Sequence, residues 1–328
     1  MQNSIPHLPT IIGTNTATAA HWLQQGELVA LPTETVYGLA ANALDHHAVL
    51  KIFEAKQRPL FNPLIIHLHH PDQLPEYVTH VPPVIKTLIQ HFSPGPLTYL
   101  LPKSPLISDL ITAGSPLVAI RFPAHPLTTA VLQQLTFPLA APSANKFTYI
   151  SPTTAQHVHK QLNGVIPYIL DGGPCSFGIE STIISAHQHT ITIHRQGSIT
   201  AAQLQPYCNA LQLAHQPSTP NTPGQLLHHY SPRTPFVLTT NIQNSVNQLA
   251  NKKIGLLLFQ TLPPTLQHLP HIILSPHGHL YQAAQQMYAA MHTLDDQNLD
   301  IILAEKLPNH DIGAAINDRL QRASHASS

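Results

Sequence analysis

Charge is what this sequence has least of. Only 9 % of its 328 residues are Asp, Glu, Lys or Arg, 15 acidic against 15 basic, where an average soluble protein carries roughly 25 %. That balance excludes a broadly basic surface for gripping nucleic acid, so any anion site has to be a local concentration of cations. Cysteine is nearly missing. Cys175 and Cys208 can form neither a disulfide framework nor a zinc cluster, which fits a reducing compartment and leads us to expect a cytoplasmic protein. No apolar run approaches the roughly 18 residues of a membrane span, so no membrane association is expected. The opening MQNSIPHLPTIIGTNTATAAHW has neither the basic nor the long apolar region of a secretory signal. A Walker A loop, a G-x-S-x-G elbow and an H-E-x-x-H pair are also missing, which removes the commonest phosphate-loop, serine-hydrolase and zinc-protease readings.

What is abundant is histidine, 25 residues, and proline, 32, beside 43 % apolar residues. The histidines are scattered through HLHH, HVHK, HQHTITIH and SPHGHL with no metal-ligand spacing, so they read as polar residues standing in for Lys and Glu. They should charge below about pH 6.5 and raise the net charge steeply. Apolar residues suffice for a sizeable core, and the length suits two domains.

Residues 1–200 mix short strands with helices. ATAAHWLQQG reads as a helix ending at Gly26, DHHAVLKIFEAK as a second, and ELVALP, PLIIHLH, LTYLLP, LVAIRFP and FPLAAPS as strands. STIISAHQHTITIHRQ reads as a hairpin turning near His187–His189. Residues 201–235 are proline-rich and read as a linker, although Leu226, Leu227 and Tyr230 give it groups to bury. Residues 236–328 alternate strand and helix, with continuous apolar runs GLLLF and DIILAE as in strands buried on both faces. A small doubly wound, Rossmann-like α/β domain is expected there, without a dinucleotide fingerprint.

Polar clusters close the strands of the first half: PTETVYGLAANA, KQRPLFNP, AIRFP, APSANKFTYISPTTA, GIESTII and HRQG. Between them they join small residues, hydroxyls and cations. Such a set suits a nucleoside triphosphate. A cation at about 4 Å contributes roughly 4 kcal/mol of attraction at an effective dielectric near 20, and Lys56, Arg58, Arg121 and Arg195 supply the charge. Guanidinium forks match phosphate and carboxylate oxygens. The residues alone leave Arg121 open between a ligand and a snorkelling edge residue, and Ser143 and Asn145 between ligands and turn formers. Glu34 reads as a structural acceptor, and Cys175 as a packing residue.

PTETVYGL, the K-x-R of Lys56 and Arg58, NPLIIH, SPGPLT, RFP, PSAN, SPT and GIEST, in this order and spacing, resemble the YrdC-like domain of L-threonylcarbamoyladenylate synthases over about residues 15–200. TPGQLLHHYSP and the α/β region after it resemble the long, two-domain form. The resemblance implies a twisted mixed sheet with helices and a nucleotidyltransferase reaction: L-threonine, bicarbonate and ATP give threonylcarbamoyl-AMP and pyrophosphate. Partner proteins then transfer the threonylcarbamoyl group to tRNA. It implies L-threonine at Thr35, His67, Arg121, Ser181 and the backbone near Ala141. ATP would lie at Arg58, Asn62, Ser143, Ser151, Arg195 and the backbone near Leu117, with Tyr230 closing over it. Lys56 and Arg58 would be catalytic, as an anion clamp, and Mg2+ would be carried by the ATP phosphates. Where the family carries basic residues in the linker, this chain has Leu226 and His228. Two rivals stand beside that reading. One is a double-stranded RNA or tRNA-binding module of the same fold, with at most a weak tRNA contact given the zero net charge. The other is a carbamoyl-transfer enzyme of hydrogenase maturation, which needs cysteine clusters this chain lacks.

Overall fold

Asn15 starts the first helix, Thr16–Gln24, by accepting hydrogen bonds from the amides of Ala17 and Thr18, as a good N-cap does. Gly26 then turns the chain at φ +72°, a left-handed conformation glycine takes without strain. Asp45 caps the helix His46–Lys56, which stops at Gln57, itself left-handed at φ 52°. The Arg58 amide closes that stop on the Phe53 carbonyl at 2.9 Å, so Lys56 and Arg58 sit on either side of a fixed reversal. The computed structural model describes residues 9–214, 229–249 and 251–324.

Among the described residues eleven strands form one mixed sheet. Its order is Ile11–Gly13, Tyr168–Leu170, Val29–Leu31, Gly38–Asn42, Leu139–Ala140, Ile65–His67, Leu117–Arg121, Leu97–Pro102, Thr182–His187, Thr190–Arg195 and Ala210–Leu213. The register does the essential work. His67 pairs with Arg121, Arg121 with Thr98, Thr98 with Ile183, and Ile183 with Arg195. Residues in one row on neighbouring strands share a face, so two guanidiniums and an imidazole far apart in sequence fall on a line. Ile65, Leu100, Ala119 and Ile183 make the apolar floor of that face. Ile66, Tyr99, Leu101 and Ile120 point the other way, into the main core.

The sheet runs past residue 200. Thr200 caps the short helix Ala201–Leu204, and Ala210–Leu213 pairs in parallel with Thr190–Arg195. The expected linker therefore begins later than its composition suggests. Leu226, Leu227 and His228 lie outside the described residues.

Four parallel strands, in the order Phe236–Thr239, Ile301–Glu305, Ile254–Leu258 and His271–Ile273, form the second sheet. Its helices Leu280–Asp295 and Gly313–Ser324 cover one core, and that core takes in Val36, Ile150, Ile179 and Tyr230 from the rest of the chain. The α/β architecture with a second small domain is thus as expected from the sequence, but an apolar core runs unbroken across the seam between domains. Among the described residues no helix is long and apolar enough to cross a membrane.

Candidate active site

The row of residues on the sheet opens into a cavity lined by Thr35, Arg58, His67, Arg121, Ser143, Glu180, Arg195 and Tyr230, with His229 beside them. Each group is held by its neighbours. Arg121 is 4 % exposed. Its Nη2 lies 2.8 Å from Glu34 Oε1, while Glu34 Oε2 accepts from the Ala124 amide at 3.1 Å. Glu34 is therefore the structural acceptor it was read as, and it orients Arg121. Arg195 donates from Nε to the Ser181 carbonyl at 3.1 Å and from Nη2 to the Ser181 hydroxyl at 3.0 Å. That hydroxyl also meets Thr98 Oγ1 at 2.7 Å. Thr35 shares a hydroxyl contact of 2.9 Å with Thr33. The loop of Ala141–Ser143 runs beside the strand Gly38–Asn42, with Ala141 N on the Ile65 carbonyl.

Arg58 makes two bonds, both to carbonyls: Nε to Asn62 at 3.3 Å and Nη2 to Pro63 at 2.9 Å. Burial, followed by the nearby Arg195, brings its pKa down to about 9. No ion pair to Arg58 occurs among the described residues. The Asn62 carboxamide beside it is fully buried, and neither its nitrogen nor its oxygen has a partner. His67 is also buried, and burial together with Arg121 pushes it down to about 3. It is a neutral imidazole at any physiological pH, and its Nδ1 has no partner.

Lys56 departs from the expected anion clamp. It is 1 % exposed, and its ammonium donates to the carbonyls of Ser143 and Asn145, each at 2.5 Å. It lies behind the cavity wall as a strut for the PSAN loop, while Asn145 ties the far side of that loop to the Lys146 and Tyr149 carbonyls at 2.8 and 2.9 Å. The charge of Lys56 is strongly disfavoured by burial and then by Arg58. A Lys56→Met substitution leaves both carbonyls without that partner and is expected to cost roughly 2 kcal/mol of stability, read by urea unfolding. A purely ligand-binding lysine would leave the unfolding midpoint unchanged.

Ser151 does not reach the cavity wall. Its hydroxyl donates to Glu180 Oε1 at 2.7 Å. Leu117 and Ser181 flank the site on its strands without lining it. Glu180, buried, was given no role by sequence reasoning. Burial by itself would raise its pKa, but Arg319, then Arg195 and Ser151, hold it below the ordinary carboxylate value. Cys175 is buried with its thiol pushed up to about 12, chiefly by burial, as a packing residue would be. Tyr230, from the segment after the undescribed linker, is 1 % exposed. It lines the cavity with His229, ring centroids 4.0 Å apart.

Three buried guanidiniums, Arg58, Arg121 and Arg195, line the cavity, with the buried carboxylates Glu34 and Glu180 beside them. Charge taken out of water needs a counterion. The three guanidiniums that line the cavity, the partnerless Asn62 amide and the neutral His67 together fit an anionic, polar ligand.

Comparison with known proteins points the same way. Residues 21–197 match the Sua5/YciO/YrdC family, described as Telomere recombination, and residues 199–325 match the family described as Threonylcarbamoyl-AMP synthase, C-terminal domain. The threonylcarbamoyl-AMP synthase of Bacillus subtilis (strain 168) is 37 % identical over 318 residues, covering 94 % of this chain and 92 % of that protein. The synthase of Pyrococcus abyssi is 33 % identical over 321 residues, covering 93 % of each. The crystal structure of P. abyssi Sua5 complexed with L-threonine matches with a TM-score of 0.89 at 32 % identity, over 97 % of this chain and 98 % of that one.

Proposed function

The chain belongs to the threonylcarbamoyl-AMP synthase family in its long, two-domain form, and from that premise we propose how its own residues divide the work. The enzyme is a nucleotidyltransferase that joins L-threonine, bicarbonate and ATP into threonylcarbamoyl-AMP and pyrophosphate. The observation that carries the assignment of residues is the convergence of Arg58, Arg121 and Arg195 on one cavity.

Threonine's carboxylate pairs with Arg121, which Glu34 already orients. The neutral ring of His67 offers a hydrogen bond without adding charge, and Thr35, Ser181 and the Ala141 backbone close the pocket around the side chain. The threonine amine attacks bicarbonate, and loss of water leaves a carbamate. A carbamate oxygen then attacks the α-phosphorus and pyrophosphate leaves, so no side-chain nucleophile is needed. Arg58, Arg195, Asn62 and Ser143 receive the nucleotide, with Ser151 acting through Glu180 and the Leu117 backbone at the rim. Catalysis here is positioning and neutralisation of charge as the leaving group departs. Tyr230 and His229, which line the cavity, close over the nucleotide.

Magnesium fits as a passenger on the triphosphate. Among the described residues no cluster of three His, Cys, Asp or Glu could hold a metal, and the one carboxylate on the cavity wall, Glu180, is engaged by Ser151, Tyr288 and Arg319. Bound there, the ion would offset phosphate charge while the guanidiniums orient it. The product would be consumed by partner proteins that transfer threonylcarbamoyl to tRNA. The RNA-binding rival draws no support from the charge distribution, since these cations lie inside the molecule rather than on a face.

The test is pyrophosphate release from ATP and bicarbonate, with and without L-threonine. Release that depends on threonine is expected. Release that ignores threonine, or a steep salt-dependent retention of RNA on filters with no turnover, would overturn the reading.

A further inference from the structure

Arg319 lies on the helix Gly313–Ser324 of the C-terminal domain and is fully buried. Its guanidinium serves four partners on four stretches of chain. Nε donates to Glu180 Oε2 at 3.1 Å, Nη2 to the Gln196 carbonyl at 2.7 Å and Nη1 to Asp318 Oδ2 at 2.9 Å. Its Cζ stands 5.5 Å from the centre of the Tyr230 ring. Tyr288, from the other helix of that domain, donates to both Glu180 oxygens at 3.2 and 3.1 Å and packs its ring 5.7 Å from that of Tyr230.

Three of those four partners bear on the cavity. Glu180 and Tyr230 line it, and Gln196 directly follows Arg195. A planar, fixed-fork cation bonded in several directions has one geometry that satisfies all of them. A merely cohesive interface would not need a charge, since apolar packing holds a seam at least as well as a buried ion pair.

We infer that Arg319 is a positioning residue for the synthase reaction: through it the C-terminal domain sets Tyr230 and Glu180 over the catalytic cavity. The inference rests on the reading of the site given above. It gives the C-terminal domain a residue-level part in turnover beyond packing.

Arg319→Gln and Arg319→Lys, compared with the full-length wild type, separate this from a structural role. Pyrophosphate release by Arg319→Gln is expected to fall about tenfold or more in kcat, with KM for threonine within about twofold, because Arg121 and Glu34 are untouched. Arg319→Lys, which keeps the charge but loses the fork, should recover part of that loss. In a Tyr230→Ala background the Arg319→Gln change should cost less than about twofold more, since its target is gone. Hydrogen exchange of a peptide spanning residues 229–234 reads the lid without needing turnover. It should quicken in Arg319→Gln while the strands Leu97–Pro102 and Leu117–Arg121 exchange as before.

Equal lid exchange in the wild type and Arg319→Gln, or losses that multiply in full in the double variant, would overturn the inference. If Arg319→Gln does not fold, Arg319→Lys is read by the same two criteria. A wild type that releases no threonine-dependent pyrophosphate sinks the reaction assigned to the site, and leaves the exchange result to decide the role of Arg319.

Discussion

Arg58→Ala is expected to lower threonine-dependent pyrophosphate release by about a thousandfold, the scale seen when one preorganised donor is removed from a developing charge, while costing no more than roughly 2 kcal/mol of stability for the two carbonyls left without that partner. Both halves follow from the same geometry. The Arg58 side chain is buried, bonded among the described residues to the Asn62 and Pro63 carbonyls, and disfavoured as a cation by its burial. Its charge contributes little to holding the fold together and costs desolvation until an anion arrives. Removing it should therefore disable the loaded protein far more than it weakens the resting one. Arg58→Lys should restore little, because a lysine ammonium cannot reproduce two guanidinium bonds to carbonyls and still present a fork to phosphate. Steady-state kinetics and urea unfolding of the same preparations check the pair of outcomes. Near-normal turnover in Arg58→Ala would remove the anion site from this position. A large loss of stability would make Arg58 a structural residue like Lys56.

Acid should destabilise this protein well above the range in which carboxylates titrate. His67 and His292 are buried and held neutral, each at about 3, by burial first and then by Arg121 and His157 respectively. A free histidine in the unfolded chain takes up a proton near 6.5. Their folded pKa values lie below the unfolded one, so the stability they contribute is fully present above about pH 6.5. It is lost as pH falls toward their folded values, because only the unfolded chain binds the protons. Between about pH 6.5 and pH 5 each of the two should cost roughly 2 kcal/mol. His157, stacked on His292 with centroids 4.0 Å apart and held at about 4 by burial and Lys160, adds to this in the same direction. Urea midpoints measured from about pH 7.5 down to about pH 5 should fall steadily, and more shallowly in His292→Gln. A flat profile over that range would mean these rings are protonated in the native state.

Much of the architecture could be read from sequence because the signals are local. Asn15 and Asp45 cap helices, Gly26 permits a left-handed turn, and uninterrupted apolar runs mark the central strands of the second sheet. The polar clusters at strand ends identified most of the cavity for the same reason. What sequence could not give was register. Only the pairing of His67 with Arg121, and of Arg121 with Thr98, shows that these groups share a row, and nothing local announces such a pairing. Lys56 illustrates the opposite failure. Its place beside Arg58 suggested a shared job, yet the stop at Gln57 sends the two side chains to different tasks. Glu180 and Arg319, separated by 139 positions, carry no mutual signal at all, and the short strand Ala210–Leu213 was hidden by the proline-rich composition around it.

Val36, Ile150 and Ile179 belong by sequence to the catalytic half, but they are packed inside the core of the C-terminal half. Cutting the chain after the first sheet would leave a greasy scar where those three side chains were sheathed. The two halves are therefore not beads on a string but one fabric, and heat should unravel them in a single event rather than in two.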